Sequence, residues 1–303
     1  TTLLIIPDIG SNFTESELVS IGNYLDAGGY LFIMGSCQIV PYASYFPDWQ
    51  QQSYNNITER FGIIWNMGEA KDDVHYVFGK NWRINLTRNA FGDSLIAKNI
   101  TFDLRYSIYL GGTYLNVTGD AEVIMHGNPG STYAVDPDNN NVGLGAESII
   151  LLAAAYNTST GMKIVASGST KMFYDGYPYP LDYENINLLT KIFLWFKYYP
   201  DVSPPSVTIT APENDSCVGQ TITVSWTGTD NAYVYSYRIY LNGSLYARLD
   251  SGVESTEVTF SEEGDWEIMV KASDWAGNNG TTSIIVHVDL TSPIVDITSP
   301  ENY

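Results

Sequence analysis

The spacing of apolar residues changes near residue 205 and divides the chain into two parts. Upstream, short unbroken apolar runs such as Leu3–Ile6 alternate with segments of helical spacing, which indicates buried strands covered by helices. Downstream, apolar and polar residues alternate with a period of two, which is typical of half-buried strands. We therefore predict an α/β domain over residues 1–200, a linker over 201–205 and an all-β domain over 206–289.

The opening segment predicts a strand–helix–strand unit. After Leu3–Ile6, Thr14 and Glu17 have the spacing of a capping box, in which each side chain bonds the backbone N–H of the other residue. Apolar residues at helical spacing follow, Gly28 and its neighbour end the helix, and Tyr30–Met34 is a second apolar run. A unit of this kind places its two strands parallel.

Between residues 41 and 200 the pattern is less regular, although several elements stand out. We predict strands at 108–110, 121–125, 132–135 and 163–166, and helices at 56–61 and 185–198. The apolar segment 148–156 fits either a strand or the edge of a helix.

The alternating region predicts seven short strands separated by turn residues such as Asn242-Gly243 and Glu263-Gly264. Strands of this length and spacing are typical of an immunoglobulin-like or fibronectin-like sandwich. Its predicted core consists of Val207, Ile209, Ile222, Val224, Trp226, Ile239, Trp266, Ile268, Val270, Ile284 and Val286.

One ten-residue motif occurs twice, 88 residues apart, at 205–214 (PSVTITAPEN) and 293–302 (PIVDITSPEN). That distance is the length of one sandwich module. We therefore expect residues 290–303 to form the first strand of a further Ig-like module. The chain is expected to be part of a longer modular polypeptide.

Residues 205–289 resemble the Ig-like repeats of bacterial and archaeal cell-surface proteins. The resemblance rests on the opening motif, on Val-Ser-Trp-Thr-Gly-Thr-Asp at 224–230 and on Val-Lys-Ala-Ser-Asp-Trp-Ala-Gly-Asn at 270–278. Such repeats usually serve as spacers, stalks or adhesive units.

Residues 1–200 resemble non-enzymatic glutamine-amidotransferase-like (flavodoxin-like) domains. The matching segments are Tyr-Leu-Asp-Ala-Gly-Gly-Tyr-Leu-Phe-Ile-Met-Gly at 24–35, Arg-Phe-Gly-Ile at 60–63 and Thr-Gly-Met-Lys-Ile-Val-Ala-Ser-Gly-Ser at 160–169. The resemblance implies a three-layer α/β domain with a mostly parallel sheet, whose opening strands lie upstream of this chain.

Charge and composition exclude several classes of protein. The net charge of −20 disfavours binding to nucleic acid or to anionic lipid, because both need basic patches. No run of 18 apolar residues is long enough to span a membrane. Two cysteines, Cys37 and Cys217, lie in different predicted domains and form no disulfide framework, although a bridge between them stays an alternative to two free thiols.

Nine Asn-x-Ser/Thr sequons, none with proline in the middle position, are spread over both predicted domains. Their number and spread favour N-glycosylation and an extracellular location over chance occurrence. The asparagines are Asn12, Asn56, Asn85, Asn99, Asn116, Asn157, Asn214, Asn242 and Asn279.

The residues expected of an active amidotransferase are missing. By the family's spacing the nucleophile position falls at Gly35, and Cys37 comes two residues late. The family's His-x-Glu should follow the strand at 163–167, where the chain reads Ser167-Gly168-Ser169. Because a cysteine nucleophile needs an activating histidine oriented by an acid, we expect no enzymatic activity and interpret Cys37 as a buried thiol.

One segment has the spacing of a weak calcium loop. Asp136, Asp138 and Asn140 offer oxygens at alternate positions, and Glu147 stands where a twelfth ligand would be, although Asn141 replaces the usual glycine. The alternative is a polar surface loop. Asp230 and Asp274 are likewise expected either to meet at one end of the sandwich or to cap turns.

These observations favour a non-enzymatic, glycosylated extracellular protein, a subunit of a surface layer, stalk or filament. Two alternatives stay open: the accessory region of a large secreted enzyme such as a subtilisin-like protease, or a glycan-binding adhesion module. The expected partners are further copies of the chain or neighbouring modules, joined by strand addition at residues 290–303 or at an incomplete sheet edge in residues 1–200.

Overall fold

A computed structural model describes residues 2–40, 43–138, 140–144, 148–174 and 184–296. The chain forms two compact units, Thr1–Pro200 and Asp201–Tyr303, which we call the first unit and the Ig-like unit.

The first unit combines four α-helices with fourteen strands in its described residues. The helices are α1 (Glu15–Asp26), α2 (Asp48–Thr58), α3 (Leu95–Thr101) and α4 (Asn185–Tyr198). The strands are β1 (Leu3–Ile6), β2 (Tyr30–Met34), β3 (Gln38–Val40), β4 (Ala43–Tyr45), β5 (Ile63–Asp72), β6 (Tyr76–Val77), β7 (Lys80–Thr87), β8 (Tyr106–Leu110), β9 (Thr113–Val117), β10 (Glu122–His126), β11 (Thr132–Val135), β12 (Asn141–Leu144), β13 (Ile150–Tyr156) and β14 (Lys163–Ser167).

The opening strand–helix–strand unit is confirmed. Strands β1 and β2 pair in parallel, and α1 connects them. Thr14 accepts a hydrogen bond from the amide of Glu17, whose carboxylate accepts from the Thr14 amide at 2.8 Å. Gly28 ends the helix region with φ +86°, and a β-carbon there would lie 2.3 Å from the carbonyl oxygen of Thr160. Only glycine satisfies both constraints.

The predicted three-layer α/β architecture with a mostly parallel sheet is wrong. The main sheet has the order β1-β2-β14-β13-β9-β5-β11-β12, with β10 also paired to β13. Among its described pairs, β1–β2 and β2–β14 are parallel, whereas the other pairs are antiparallel.

The connections explain the difference. A parallel pair needs a long crossover, usually a helix, whereas antiparallel neighbours are joined by short turns. Strands β8 to β14 follow one another with no helix among their described residues. The resemblance to amidotransferase-like domains is therefore not shown by this mixed sheet.

The ambiguous segment 148–156 contains strand β13, which is buried along almost its whole length. It pairs with β14. The rings of Phe46, Tyr54 and Trp65 pack together in the same core cluster, with the ring centroids of Tyr54 and Trp65 4.8 Å apart.

The Ig-like unit is a two-sheet sandwich, which confirms the prediction for this region. Its strands are β15 (Ser206–Ala211), β16 (Ser216–Val218), β17 (Thr221–Thr229), β18 (Val234–Leu241), β19 (Ser244–Asp250), β20 (Ser255–Thr259), β21 (Gly264–Asp274) and β22 (Asn279–Val288). One sheet has the order β15-β17-β20 and the other β16-β22-β21-β18-β19. The described residues of this unit form eight strands rather than the predicted seven. Strand β16 is only three residues long and β19 is largely exposed, which makes both hard to recognise in the sequence.

The predicted core residues of the sandwich all belong to one cluster. Trp226, Ile239, Ile268 and Val270 are almost fully buried, whereas Trp266, Ile209, Ile222 and Ile284 are half-buried. Trp226 packs against Tyr237 with ring centroids 5.6 Å apart.

Replacing Trp226, which is 1% exposed, should strongly destabilise the Ig-like unit. Trp226→Ala removes a buried ring and leaves a cavity, so we expect a loss of about 3–5 kcal/mol in the free energy of unfolding. Chemical denaturation of the chain measures it, with Ile285→Ala at a 44% exposed position as the control. A loss below about 1 kcal/mol for Trp226→Ala would show that the ring is not a core residue.

Candidate metal centre

Three aspartates meet at one end of the Ig-like unit. Asp201 opens the segment that leads into β15, Asp230 directly follows β17, and Asp274 is the last residue of β21. One carboxylate oxygen of each lies within 4.8 Å of an oxygen of the other two. The sandwich thus brings together residues that are far apart in sequence.

Two of these aspartates also shape the turns in which they lie. The Oδ2 atom of Asp230 accepts the backbone N–H groups of Ala232 (2.8 Å) and Tyr233 (3.0 Å). Asp274 accepts the backbone N–H of Asn278 through Oδ1 and its side-chain N–H through Oδ2, both at 2.8 Å. Asp230 and Asp274 therefore meet at one end of the sandwich and also cap turns, so both expected alternatives apply.

Asp201 ties the segment before β15 to the sandwich. Its Oδ2 accepts the indole N–H of the fully buried Trp275 at 2.9 Å, and its Oδ1 accepts from the Ser203 amide (3.2 Å) and the Asn231 side chain (3.3 Å). The 201–205 segment, predicted as a linker, is thereby held against the Ig-like unit at its first residue.

The negative charge of this cluster has no ion-pair partner in the part of the chain that the structure describes. Among the described residues, no lysine, arginine or histidine pairs with the three carboxylates. Burial raises the pKa of Asp274, and the nearby charges of Asp201 and Asp230 raise it further, against the hydrogen bonds from Asn278. The Oδ1 atom of Asp230 is buried and accepts no hydrogen bond from the described residues.

These features fit a bound divalent cation. A buried oxygen without a hydrogen-bond donor is costly, and a metal ion supplies the missing partner. Calcium takes oxygen ligands at about 2.3–2.6 Å, so ligands on opposite sides of the ion lie up to about 5 Å apart. The separations among Asp201, Asp230 and Asp274 agree with that limit.

The predicted calcium loop in the first unit is arranged differently. Asp136 accepts the backbone N–H of Asn140 at 2.7 Å and its side-chain N–H at 3.2 Å, as in a turn closed by its own residues. Asp138 is exposed, and Glu147 lies outside the described residues.

Cys37 is a free, buried thiol, as expected, and is 2% exposed. Burial raises the pKa of Cys37 well above its usual range, and the Glu69 charge adds to that effect. At Gly35, the expected nucleophile position, a β-carbon would lie within 3 Å of the rings of Trp65 and Phe46. This end of β2 has no room for a reactive side chain.

Ser131, His75 and Asp72 lie together in the first unit without forming a catalytic triad. In a triad the serine and the aspartate contact opposite nitrogens of the histidine ring. Here Ser131 Oγ (3.0 Å) and Asp72 Oδ2 (3.6 Å) both approach Nδ1, and Ser131 donates directly to Asp72 at 2.9 Å. Burial would raise the pKa of Asp72, but hydrogen bonds from groups that include the His75 amide and Asn128 lower it.

The sequon asparagines differ in exposure. Asn99 is 2% exposed, and Asn85 is half-buried within β7. The other seven are exposed: Asn12, Asn56, Asn116, Asn157, Asn214, Asn242 and Asn279.

Asp201 was not predicted as a site residue, although the repeat contained a signal for it. Asp201 lies four residues before the motif at 205–214, and Asp289 lies four residues before its second copy at 293–302. The repeated unit therefore begins with this aspartate rather than with the proline that follows.

Comparison with solved structures finds chains of low identity. The mmIFT52 N-terminal domain is 20% identical over 66% of this chain and 79% of its own, with a TM-score of 0.47. A fibronectin(III)-like module of Clostridium thermocellum CbhA is 18% identical over 29% of this chain and all of its own (TM-score 0.27). The PKD1 domain of Vibrio anguillarum Epp is 14% identical over 30% of this chain and all of its own (TM-score 0.25).

No curated protein matches the chain. Within the Ig-like unit, however, residues 205–286, less than a third of the chain, match the family described as "Bacterial Ig domain".

Proposed function

We propose that this chain is a non-enzymatic, glycosylated structural protein of the cell surface, whose Ig-like unit is a spacer or adhesion module stiffened by calcium. The match of residues 205–286 to bacterial Ig domains carries the proposal, since such domains are typically non-catalytic parts of extracellular proteins. No helix in the described part of the chain is long and apolar enough to cross a bilayer.

The chemistry of the first unit supports the non-enzymatic part of the proposal. Cys37 is buried with a raised pKa, and a thiolate rather than a thiol is the nucleophile in cysteine catalysis. Ser131 and Asp72 both approach the Nδ1 atom of His75. Asp72 therefore cannot orient the ring through one nitrogen while the other nitrogen activates the serine.

Calcium would act on the Ig-like unit as a structural ligand. The ion would join the segment before β15 to the ends of β17 and β21 through Asp201, Asp230 and Asp274. Because it binds the folded state, it would raise the stability and stiffness of this end of the module.

Assembly through the tail is the third part of the proposal. In residues 290–296 the apolar side chains of Ile294 and Val295 are 97% and 79% exposed, and this tail shares its sequence motif with β15. Strand β15 pairs antiparallel with β17 through the same motif. We propose that the tail pairs in the same way with a further Ig-like module, of another copy or of the same polypeptide.

Glycopeptide mapping of protein purified from its native source tests the surface location. We expect glycans at most of the seven exposed asparagines and none at Asn99, because a glycan there would have to enter the packed interior. Unmodified asparagine at all nine positions would contradict the extracellular proposal.

Terbium luminescence tests the metal centre, since this ion also takes oxygen ligands and Trp275 lies against Asp201. Excitation of tryptophan should give terbium emission that calcium competes away. Asp230→Asn should abolish this emission. The variant keeps one side-chain oxygen to accept the turn amides but loses the charged oxygen that has no hydrogen-bond donor.

Calcium should also stabilise the folded chain. At about 100 times its dissociation constant it should add about 2.7 kcal/mol to the free energy of unfolding.

Asp265→Asn is the matched control, because Asp265 is an exposed aspartate at the opposite end of β21 that pairs with His287. Equal terbium emission from Asp230→Asn and the unmodified chain would exclude the three aspartates as the site.

Removal of residues 290–303 tests assembly. Analytical ultracentrifugation of native assemblies should show smaller particles for the truncated chain, because the exposed strand motif is gone. Assemblies of unchanged size would refute strand addition by the tail.

A further inference from the structure

A groove runs along the open edge of the sandwich, between strands β19 and β20, which lie in different sheets. Its volume is about 390 Å³, and its lining includes Leu241, Asn242, Leu245, Tyr246 and Trp266. Leu245 and Tyr246 are 45% and 43% exposed, so much of this apolar lining faces solvent.

The edge is closed beside the groove by a tyrosine. The hydroxyl of Tyr246 accepts the backbone N–H of Thr259 at 3.2 Å and donates to the carbonyl of Glu257 at 3.4 Å. Tyr246 thus links β19 of one sheet to β20 of the other. In the described residues no strand of one sheet pairs with a strand of the other.

A sequon asparagine stands at the rim of the groove. Asn242 occupies the tight turn between β18 and β19 with φ +46°, followed by Gly243 at φ +77°. Its Oδ1 accepts the backbone N–H of Glu267 at 2.8 Å, which fixes the side chain. Its Nδ2, the atom that carries an N-glycan, donates to none of the described residues.

We propose that the N-glycan of Asn242 lies in this groove and covers the open edge of the sandwich. The first sugars have an apolar face of C–H groups that packs on an aromatic or aliphatic surface, and hydroxyl groups that stay in water. Leu245, Tyr246 and Trp266 supply that surface next to the attachment atom. Covering them removes apolar area from water and protects an edge that otherwise recruits foreign strands.

The position of Asn242 distinguishes it from the sequon at Asn279. Both read Asn-Gly-Ser/Thr and both asparagines are exposed. The Nδ2 atom of Asn279, however, donates to the Gly277 carbonyl at 2.9 Å, and Asn279 does not line the groove. Asn279 therefore gives a matched comparison within the same unit.

This inference rests on the proposed glycosylation, and the experiment separates the two. Glycosylated chain is compared with Ser244→Ala and Thr281→Val, which remove the sequons of Asn242 and Asn279 while keeping both asparagines. Hydrogen exchange is then measured in peptides covering residues 244–250 and 255–261. Enzymatic or chemical deglycosylation of the unmodified chain gives the same comparison without a mutation.

We expect Ser244→Ala to accelerate exchange in both peptides by about tenfold, which corresponds to exposing roughly 50–60 Å² of apolar surface. Thr281→Val should leave both rates unchanged. In addition, Leu245→Ser should accelerate exchange more in the glycosylated chain than in the Ser244→Ala background, because the glycan contact is lost only in the former.

Glycopeptide mapping decides which idea has failed. A glycan at Asn242 with equal exchange rates in Ser244→Ala and the unmodified chain overturns the groove proposal and leaves glycosylation intact. Glycans at other sequons without one at Asn242 also overturn it. Absence of glycans at all nine sequons contradicts the proposed surface glycoprotein itself.

Discussion

The end of the Ig-like unit at which the chain enters is held by a hydrogen bond from an indole N–H to a buried carboxylate. Asp201 and Trp275 are both nearly inaccessible to water, and their hydrogen bond joins the segment before the first strand to the end of β21. Further along the same segment, the carbonyl of Pro205 passes so close to Gly280 that a β-carbon there would lie 1.9 Å away. The entry of the chain into the sandwich is therefore fixed at two points, which sets β15 against β17.

The same arrangement buries Asp274 and places it near Asp201 and Asp230. Burial in the first place, and these two charges in addition, raise the pKa of the Asp274 carboxyl. A carboxyl whose pKa is raised in the folded state binds its proton more tightly there than in the unfolded chain. The free energy of unfolding therefore decreases as the pH rises from the unfolded pKa through the folded one. Above the folded pKa of Asp274 the repulsion among the three carboxylates is present in the folded state, and a divalent cation bound there would remove it. In a chain with a net charge of −20, other parts of the protein offer little compensation.

Sequence patterns were sufficient where local chemistry decides the structure. The capping box at Thr14 and Glu17 and the alternation around Trp226 each specify one element and one buried face. They failed for the main sheet, because strand direction depends on which distant segments pair. Strand β5 shows the difficulty, since its register against β9 shifts between Trp65 and Glu69 and blurs the alternation.

The candidate metal centre was predicted only in part, for a related reason. Asp230 follows one recognisable strand and Asp274 ends another, so their meeting at one end follows from the sandwich fold. Asp201 lies in a proline-rich stretch without periodicity, and its role depends on a hydrogen bond to a residue 74 positions away. The sequence signal for Asp201 is the repeat, which places Asp201 and Asp289 at the same position before each copy of the motif.

Strand β21 runs from the groove to the candidate metal centre. Trp266 lines the groove near the start of the strand, and Asp274, its last residue, belongs to the candidate metal centre. At about 3.3 Å per residue these positions are about 26 Å apart along the strand. Calcium would stabilise one end and a glycan would cover the open edge near the other. In a module that transmits force or spaces a surface layer, both ends need protection, because fraying at either one exposes unpaired strands to neighbouring chains.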